Sequence, residues 1–290
     1  MAGRRAAVAF AVLAGLLASA AQARPLRVMS ISDCGDQLVL ALLQPSQITS
    51  VTWLSRDPAT SFMTAAASRV PVNHGAVEDV LRDRPDLVIA GTYTTPATRA
   101  LLKRLRFPLL ELGAVNSFDD VRRQTRAVAD AVRARAGGER LIADMDATLQ
   151  KLAEAPGPPI RVAAWDGGGF SAPPGSMHDA LLQAAGARNV AAERAGLISG
   201  AEASVERLLA VRPQLLVEDE RGSEQPGLRA AVLDNPTVRR VWAGRTVTLS
   251  ARYYECGTPF SAVGALRLQS EMRAAIARAR PLPSFTSAAP

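Results

Sequence analysis

This chain of 290 residues is poor in the side chains on which many metal proteins and enzymes depend. It contains two cysteines, two histidines and only 4% aromatic residues. Because zinc and manganese sites usually need several converging ligands, His74 and His178 support a metal site weakly, and we expect both to be structural. The net charge is +7, but the basic residues are scattered among acidic ones, without the basic block and interleaved aromatics of nucleic-acid-binding proteins. The composition therefore argues against a zinc enzyme and against a nucleic-acid partner.

Two glycine-containing segments lack the residues that catalytic motifs require. Residues 167–169 are three glycines without a following Gly-Lys-Ser/Thr, so we do not expect a phosphate-binding loop. The segment 169–173 has proline at the last position, where a nucleophile elbow needs glycine. The sequence therefore predicts a protein that is not an enzyme.

The one pronounced apolar run is too short to span a membrane. Residues 6–17 form an uncharged apolar stretch, whereas a membrane-spanning helix needs roughly 20 apolar residues. Arg4 and Arg5 precede the run, and Ala21-Gln22-Ala23 offers a small-x-small cleavage site after it. We therefore expect residues 1–23 to be a signal peptide that directs the mature protein to the periplasm.

An internal repeat is the most informative feature that the chain does have. The segment from Ala76 to Ile89 aligns without gaps on the segment from Ser204 to Val217, and six of the fourteen positions are identical. Each copy has apolar residues at helical spacing, then Arg-Pro, then aliphatic residues, which predicts a short helix that stops at the proline before a buried strand. Because repeats so far apart do not form a solenoid, the sequence predicts an α/β protein with two similar, Rossmann-like lobes around a ligand cleft.

Further patterns predict where the lobes begin and end. Leu-Arg-Val at 26–28 returns as Ile-Arg-Val at 160–162, after a Pro-Gly-Pro-Pro breaker. Between them, an apolar stripe at helical spacing follows the capping residue Ser117 and resumes after Gly137 and Gly138. We expect an N-terminal lobe at 24–116, one long connecting helix at 117–155 that is bent or broken at the glycines, a C-terminal lobe at 156–280 and a disordered tail at 281–290. A stiff connector predicts small closure motions.

Several segments together resemble a known family. They are residues 30–37, 78–89, the helix after Ser117, 175–189 and 206–217. In this order and spacing, the chain resembles the helical-backbone class, class III, of periplasmic substrate-binding proteins, which serve ABC importers of vitamin B12, siderophores and haem. The resemblance covers nearly the whole chain after residue 23 and implies two lobes joined by a long backbone helix.

The resemblance also implies a role for two glutamates. Glu78 and Glu206 occupy the same position of the repeat, seven residues before the proline, and each begins a predicted helix, where the helix dipole favours an acid. In the family, a glutamate at this place in each lobe pairs with arginines of the two permease subunits. The plainer interpretation is that both are ordinary acids at helix starts.

In folds of this kind the loops at the carboxyl ends of the strands line the cleft. Although aromatic residues are few, all three tyrosines and two of the three tryptophans fall in such loops. The predicted ligand-binding residues are Cys34, Asp36, Trp53, Tyr93, Trp165, Arg252, Tyr253, Tyr254 and Cys256. They suit a large, flat, partly apolar ligand, with Arg252 available for an acidic group, whereas ordinary core packing is the alternative for the aromatic residues. Haem ligation through Tyr253 or Tyr254 stays open.

Cys34 and Cys256 are the only cysteines. In an oxidising compartment a disulfide is the default, and closing so long a loop would stabilise the fold by about 5 kcal/mol in the chain-entropy model. The resemblance places the two residues on opposing lobes, where a bond would pin the cleft. Free thiols at the pocket, other reactivity and metal ligation are the alternatives that the sequence leaves open.

These features predict a periplasmic component of an ABC importer. It would capture a metal chelate such as a ferric siderophore, a corrinoid or a haem-like ligand and deliver it to the permease dimer. It would act as a monomer, without a cofactor or a metal of its own. The alternative from another class is an exported redox or metal-dependent enzyme that uses Cys34 and Cys256, and a third is a sensor subunit that binds the same ligand. Tight binding without turnover would favour the importer over the enzyme.

Overall fold

The computed structural model describes residues 26–166, 169–193, 204–220 and 235–282. Strands and helices alternate along these residues and form two sheets, one in each lobe, so the predicted α/β class with two similar lobes is confirmed. The predicted signal peptide at 1–23 and residues 283–290 of the predicted tail lie outside the described residues. Among the described helices, none combines the length and the apolar character that crossing a bilayer requires.

The N-terminal lobe contains a five-stranded parallel sheet in the order β3-β2-β1-β4-β5. Its strands are β1 Val28–Ser30, β2 Ile48–Thr52, β3 Val72–Asn73, β4 Leu87–Ala90 and β5 Leu109–Glu111. Its helices are α1 Asp33–Leu42, α2 Thr64–Ala67, α3 Val77–Asp83 and α4 Pro96–Arg104. Helices cover both faces of the sheet: Val28 packs with Leu38 of α1 on one face, and Met29 packs with Val80 of α3 on the other. Burial on both faces explains why these strands are nearly all aliphatic.

The C-terminal lobe is built around a longer central strand. Its strands are β6 Ile160–Asp166, β7 Gly169–Phe170, β8 Ala187–Asn189, β9 Leu215–Asp219 and β10 Thr246–Leu249. Its helices are α7 Met177–Ala184, α8 Val190–Glu193, α9 Val205–Val211, α10 Pro236–Val241 and α11 Ser261–Arg278. Strand β6 pairs in parallel with β8 and β9, and β9 pairs with β10, as β1 pairs with β2 and β4, and β4 with β5. Four strands therefore have the same arrangement in both lobes.

The sequence repeat extends to individual hydrogen bonds. Helices α3 and α9 each end at an arginine in the left-handed conformation, Arg84 with φ 44° and Arg212 with φ 47°. The guanidinium of Arg27 donates to the carbonyl of Arg84, and that of Arg161 donates to the carbonyl of Arg212. Each guanidinium thus satisfies carbonyl groups that a helix end leaves without a partner. The predicted link between the Leu-Arg-Val and Ile-Arg-Val segments has this physical basis.

Two helices, and not one, connect the lobes: α5 Phe118–Ala131 and α6 Arg135–Glu154. The chain turns between them, where Arg133 has φ 59°. The prediction of a bend or break at the glycines is therefore wrong. Gly138 lies inside α6, where a Cβ atom would collide with Ala129 of α5, so the glycine allows the two helices to pack closely.

Helix α6 is the long backbone helix that the resemblance implies. It has 20 residues and spans about 30 Å. Ala134, just before it, packs on the core of the N-terminal lobe, and Leu152, near its end, lies in the core of the C-terminal lobe. Helix α5 runs back along α6, with Val121 packed against Met145. The helix pair therefore holds the two lobes beside each other on one side of the cleft.

Candidate functional site

A cavity of about 300 Å³ lies where the carboxyl ends of the strands of both lobes meet. The N-terminal lobe contributes Cys34, residues 91–93 and the loop 112–116 after β5, and the connector contributes Gln124. The C-terminal lobe contributes residues between 171 and 178 together with 254–256. Ligand pockets span roughly 300–1,000 Å³, so this cavity is at the small end of that range.

A disulfide between Cys34 and Cys256 crosses the cleft. Cys34 lies in the first turn of α1, and Cys256 follows the short 3-10 helix Ala251–Tyr253. Their Cα atoms are 4.9 Å apart although the residues are separated by 222 positions in the sequence. Of the alternatives that the sequence leaves open, the structure therefore shows the disulfide.

Asp33 and the two sulfur atoms form the one cluster of possible metal ligands in the described residues. A carboxylate oxygen of Asp33 and both sulfurs lie within 4.8 Å of one another. Burial raises the pKa of Asp33, although the N–H of Cys34 donates to its carboxylate at 2.9 Å. Because thiolates are the metal-binding form of cysteine, two sulfurs bonded to each other are not free to act as such ligands.

His178 and Tyr254 form one wall of the cavity. Their rings are stacked, with centroids 3.8 Å apart and 5° between the planes. Burial lowers the pKa of His178 to about 4. Its imidazole lies near the backbone of Ser171, but neither ring nitrogen makes a hydrogen bond with good geometry. The hydroxyl of Tyr254 donates to Asp219 at 3.0 Å, and burial together with this carboxylate raises the pKa of Tyr254. The wall is therefore flat, fixed and uncharged at neutral pH.

Tyr93 belongs to the part of the lining that the N-terminal lobe contributes, in the loop that follows β4. The Gly91 N–H donates to the Thr94 hydroxyl at 3.1 Å, and this hydroxyl donates to the carbonyl of Ile31 at 3.2 Å. These bonds hold the loop on the end of the sheet while the Tyr93 side chain stays 73% exposed. An aromatic ring so exposed beside a cavity is well placed to contact a ligand.

The cavity brings together four of the nine predicted ligand-binding residues: Cys34, Tyr93, Tyr254 and Cys256. The structure places Asp36, Trp53 and Trp165 away from the lining. Trp165 is fully buried on one face of β6, edge-on to Phe170 at 5.3 Å, because residue alternation turns it into the core. The buried carboxylate of Asp36 accepts the N–H of Thr52 at 3.0 Å, inside the first lobe. Trp53 is 52% exposed on the same lobe.

Arg252 and Tyr253 do not line the cavity either, because they pack against the N-terminal lobe. The Tyr253 ring lies 4.9 Å from the ring of Phe62, and the Arg252 guanidinium lies 5.1 Å from it. Arg252 also donates to the carbonyl of Pro58 at 3.1 Å. This guanidinium therefore contacts the other lobe, and its expected contact with an acidic group of the ligand stays a prediction. Nothing in the sequence marks Phe62 as a partner of residues 190 positions further on.

Sequence reasoning missed two kinds of lining residue. It treated His178 as structural only, although the capping pattern Ser176-x-x-Asp179 places that histidine in a helix start at the carboxyl end of a strand. It also missed the loop after β5, with Asn116, and Gln124 of the connector, which offer amide and backbone groups. Glu255 is the one acidic residue in the described lining, and no lysine or arginine lies there.

Two similar lobes, a helical connector and a cleft lined by both lobes define a two-lobed binding protein of the helical-backbone class. The family model for periplasmic binding proteins matches residues 28–249, and this chain belongs to that family. It is therefore a binding protein of the transport type, and the alternative of an exported enzyme has no support.

Solved structures show the same fold. The periplasmic heme-binding protein RhuT from Roseiflexus sp. RS-1 is 24% identical, with a TM-score of 0.72 over 87% of this chain and 99% of that chain. The periplasmic heme-binding protein BhuT, in complex with two hemes, is 24% identical with a TM-score of 0.70 over the same shares. The periplasmic vitamin B12 binding protein BtuF of Vibrio cholerae is 19% identical, with a TM-score of 0.63 over 87% of this chain and 98% of that chain. A sequence search of curated proteins finds no match.

Proposed function

We propose that this protein is the substrate-binding component of an ABC importer and that it captures a metal chelate between its lobes. The observation that carries the proposal is that both lobes contribute aromatic rings to the cavity lining, the stacked rings of His178 and Tyr254 from one lobe and the exposed ring of Tyr93 from the other. Aromatic rings from both lobes in one lining suit a flat, partly apolar ligand. The names of RhuT and BtuF, which state heme and vitamin B12, support a macrocyclic chelate.

The charge of the lining favours one class of chelate over another. Apart from Glu255, the described lining residues are apolar or neutral, and none is a lysine or an arginine. A strongly anionic ligand, such as a ferric catecholate, would lose its hydration without gaining a cationic partner there. We therefore favour a macrocycle whose enclosed face is uncharged, as in a corrinoid or the centre of a haem, over a ferric siderophore.

Docking to the permease is proposed for Glu78 and Glu206. Both are exposed in the first turn of the equivalent helices α3 and α9. The backbone N–H of Glu206 and the hydroxyl of Ser204 lower the pKa of Glu206, so it is anionic at neutral pH. Two equivalent acids on two similar lobes match a dimer of permease subunits that presents the same basic site twice. A sensor role would use the same pocket with a different membrane partner.

The proposal also includes export and the extent of the lobes. We propose that residues 1–23 are removed, that the mature chain begins at Arg24, and that lobes at 24–116 and 156–280 flank a connector at 117–155. Intact mass of the protein recovered from the periplasm checks the first point, because a chain that retains residues 1–23 would contradict it.

Native mass spectrometry and absorption spectroscopy of the protein purified from its own periplasm test the function. We expect a monomer that carries one macrocyclic chelate, with its visible absorption band, and that rebinds haemin or cyanocobalamin stoichiometrically after removal of the ligand. Failure to bind either compound, or chemical conversion of the bound one, would contradict the proposed function.

A further inference from the structure

The cleft is filled on one side of the Cys34–Cys256 disulfide and open on the other. On the filled side, Phe62 of the N-terminal lobe inserts into the C-terminal lobe, with ring centroids 4.9 Å from Tyr253 and 5.4 Å from Phe260. We call this contact the Phe62 plug. On the open side lies the cavity, and both cysteines are part of its lining. The disulfide therefore stands at the boundary between packed lobes and a ligand site.

Helix α1 is held at both the plug and the disulfide. Cys34 reaches the cavity from the first turn, and Gln37 lies one turn later. The amide of Gln37 donates to the carbonyl of Thr60 and accepts the N–H of Phe62, both at 3.4 Å. In the C-terminal lobe, Tyr253 packs on the plug while Cys256 reaches the cavity. Helix α1 in one lobe and residues 253–256 in the other therefore take part in both the Phe62 plug and the disulfide.

The lobes are consequently joined on two sides of the cleft. Helix α6 joins them on one side, and the disulfide joins them across it. Hydrogen bonds from Arg252 to the carbonyl of Pro58 and from Ser250 to the carbonyl of Ala59 add to the second junction. Hydrogen bonds and ring contacts can open and close thermally, whereas a disulfide opens only through exchange with another thiol. A hinge motion about the connector alone would have to break this bond.

We propose that the disulfide between Cys34 and Cys256 limits the size of the ligand that the cavity accepts. The bond would do so by fixing the width of the cavity between Tyr93 of one lobe and His178 and Tyr254 of the other. This inference rests on the proposed function. With the bond intact, the cavity encloses a compact or flat part of a ligand and rejects a bulkier one. Reduction by a dithiol converts the disulfide into two thiols with the gain of two electrons and two protons, while the dithiol becomes a disulfide. The unlinked lobes then separate enough to admit the bulkier ligand.

Titrations with two probes of different bulk test the inference. Haemin is the flat probe, and cyanocobalamin, which carries groups on both faces of its ring, is the bulky one. The dissociation constants are measured by calorimetry for the oxidised protein, for the protein reduced with dithiothreitol, and for the Cys34→Ser/Cys256→Ser variant. We expect the ratio of the cyanocobalamin constant to the haemin constant to fall at least tenfold, and equally, in the reduced protein and the variant. Dithiothreitol should not change the ratio of dissociation constants measured for the variant. This comparison controls for side effects of the reductant.

Hydrogen exchange provides a second measurement that needs no ligand. The amides of Phe62 and Tyr253 lie at the plug, and we expect them to exchange at least tenfold faster in the variant than in the oxidised protein. A Cys34→Ala/Cys256→Ala variant replaces the serine pair if that pair does not fold, since Cys256 is buried. If the probes bind and the ratio of their dissociation constants is the same in the oxidised protein, the reduced protein and the variant, the inference is overturned. If neither probe binds any form, the proposed function fails, and unchanged exchange at the plug then also overturns the inference that the disulfide holds the lobes together.

Discussion

The two lobes share a frame but place different groups at the cleft. In each lobe an arginine at the start of the first strand, Arg27 just before β1 or Arg161 within β6, donates to the left-handed end of the repeated helix. At the cleft, however, the first lobe presents the exposed ring of Tyr93, and the second presents the buried stack of His178 on Tyr254. The frame depends on local hydrogen bonds and aliphatic packing, whereas the loops beyond the strands bear little of the core. Loops can therefore differ between the lobes while the frame stays the same.

The lobes also differ in the titratable group that each buries. Asp36 is buried in the first lobe and His178 in the second. Burial raises the pKa of Asp36 well above its usual range, although Thr52 donates to its carboxylate. Burial lowers the pKa of His178 to about 4 in spite of the nearby carboxylates of Asp219 and Asp179. Burial thus favours the uncharged form of each group, and the two make the stability of their lobes respond to pH in opposite directions.

The largest effect, a loss of ligand uptake, is expected when the two equivalent acids of the docking surface, Glu78 and Glu206, are reversed in charge. Reversing both Glu78 and Glu206 to lysine should abolish ligand uptake, since two repelling contacts would replace two attractive ones. Ligand affinity should stay unchanged, because neither glutamate lines the cavity. Uptake assays and calorimetry check this. The two single variants show whether the lobes contribute equally, and normal uptake by the double variant would contradict docking through these residues.

Removing the link between the lobes should cost the most stability. For the Cys34→Ser/Cys256→Ser variant we expect a free energy of unfolding lower by about 5 kcal/mol, the chain-entropy value for so long a loop. Denaturant unfolding monitored separately at Trp53 and Trp165 measures the loss and shows whether the lobes still unfold together. A loss below about 1 kcal/mol would mean that the connector and the Phe62 plug hold the lobes without the bond.

Acid should destabilise the second lobe through His178. Between pH 6.5 and about 4 the unfolded histidine binds a proton that the folded one does not, so the free energy of unfolding falls as the pH falls. The contribution is at most about 3 kcal/mol, fully present above pH 6.5 and lost as the pH approaches 4. Asp36 acts in the opposite sense, because above pH 4 the unfolded carboxyl ionises before the folded one.

Urea unfolding of the wild type, His178→Gln and Asp36→Asn across this pH interval separates the two contributions. Relative to the wild type, His178→Gln should lose less stability on acidification, and Asp36→Asn should lose more. Identical pH profiles for all three proteins would mean that neither group is shifted by burial as described.

The tyrosines should divide into a binding group and a packing group. Replacing Tyr93 or Tyr254 with alanine should weaken ligand binding by about 1–2 kcal/mol, as for aromatic anchors at binding sites. Tyr253→Ala should instead lower the melting temperature and leave the affinity nearly unchanged, because its ring packs on Phe62. Calorimetry and thermal unfolding of the three variants provide the comparison. Equal loss of affinity in Tyr253→Ala would place that residue in the site after all.

The smallest effect concerns the start of the repeated helix. Ser204 accepts the N–H of Arg207 at the start of α9, whereas Ala76 at the start of α3 has no side-chain cap. Ser204→Ala should therefore cost about 1 kcal/mol, and Ala76→Ser should add up to that amount unless Asp79, which accepts the N–H of His74, already serves that helix. Denaturant unfolding of both single variants shows whether the two caps are interchangeable.

Much of the frame was predictable from the sequence because its signals are local. The Arg-Pro boundary, the helical spacing before it and the aliphatic run after it lie within fourteen residues, and α3-β4 and α9-β9 follow them. The connector shows the limit of this reasoning. The stripe predicts helix on both sides of the glycines, but the chain turns at Arg133. Gly138 does not break the helix, since it lies inside α6 and allows close packing against Ala129.

The site was predictable only as a set of strand-end residues. Tyr93 and Trp165 both come from strand ends, yet one ring is exposed at the cavity and the other is buried in the core. A shift of one residue along a strand reverses the direction of its side chain, and the sequence does not state at which residue a strand gives way to its loop. Tyr253 and Tyr254 lie at the end of a 3-10 helix, where neighbouring side chains also point in different directions, so Tyr254 lines the cavity while Tyr253 packs against Phe62.

By itself the sequence determined the α/β class, the duplicated helix–strand unit and the choice of Cys34 and Cys256 as the only pair that can form a disulfide. Only the tertiary structure decided that these cysteines meet across the cleft, that Arg252 and Tyr253 join the lobes, and that a neutral His178 backs the cavity. Secondary structure follows from interactions between residues close in the chain, which the sequence displays directly. The cleft is made by residues about 200 positions apart, and their distances exist only after both lobes have folded and packed on the same connector.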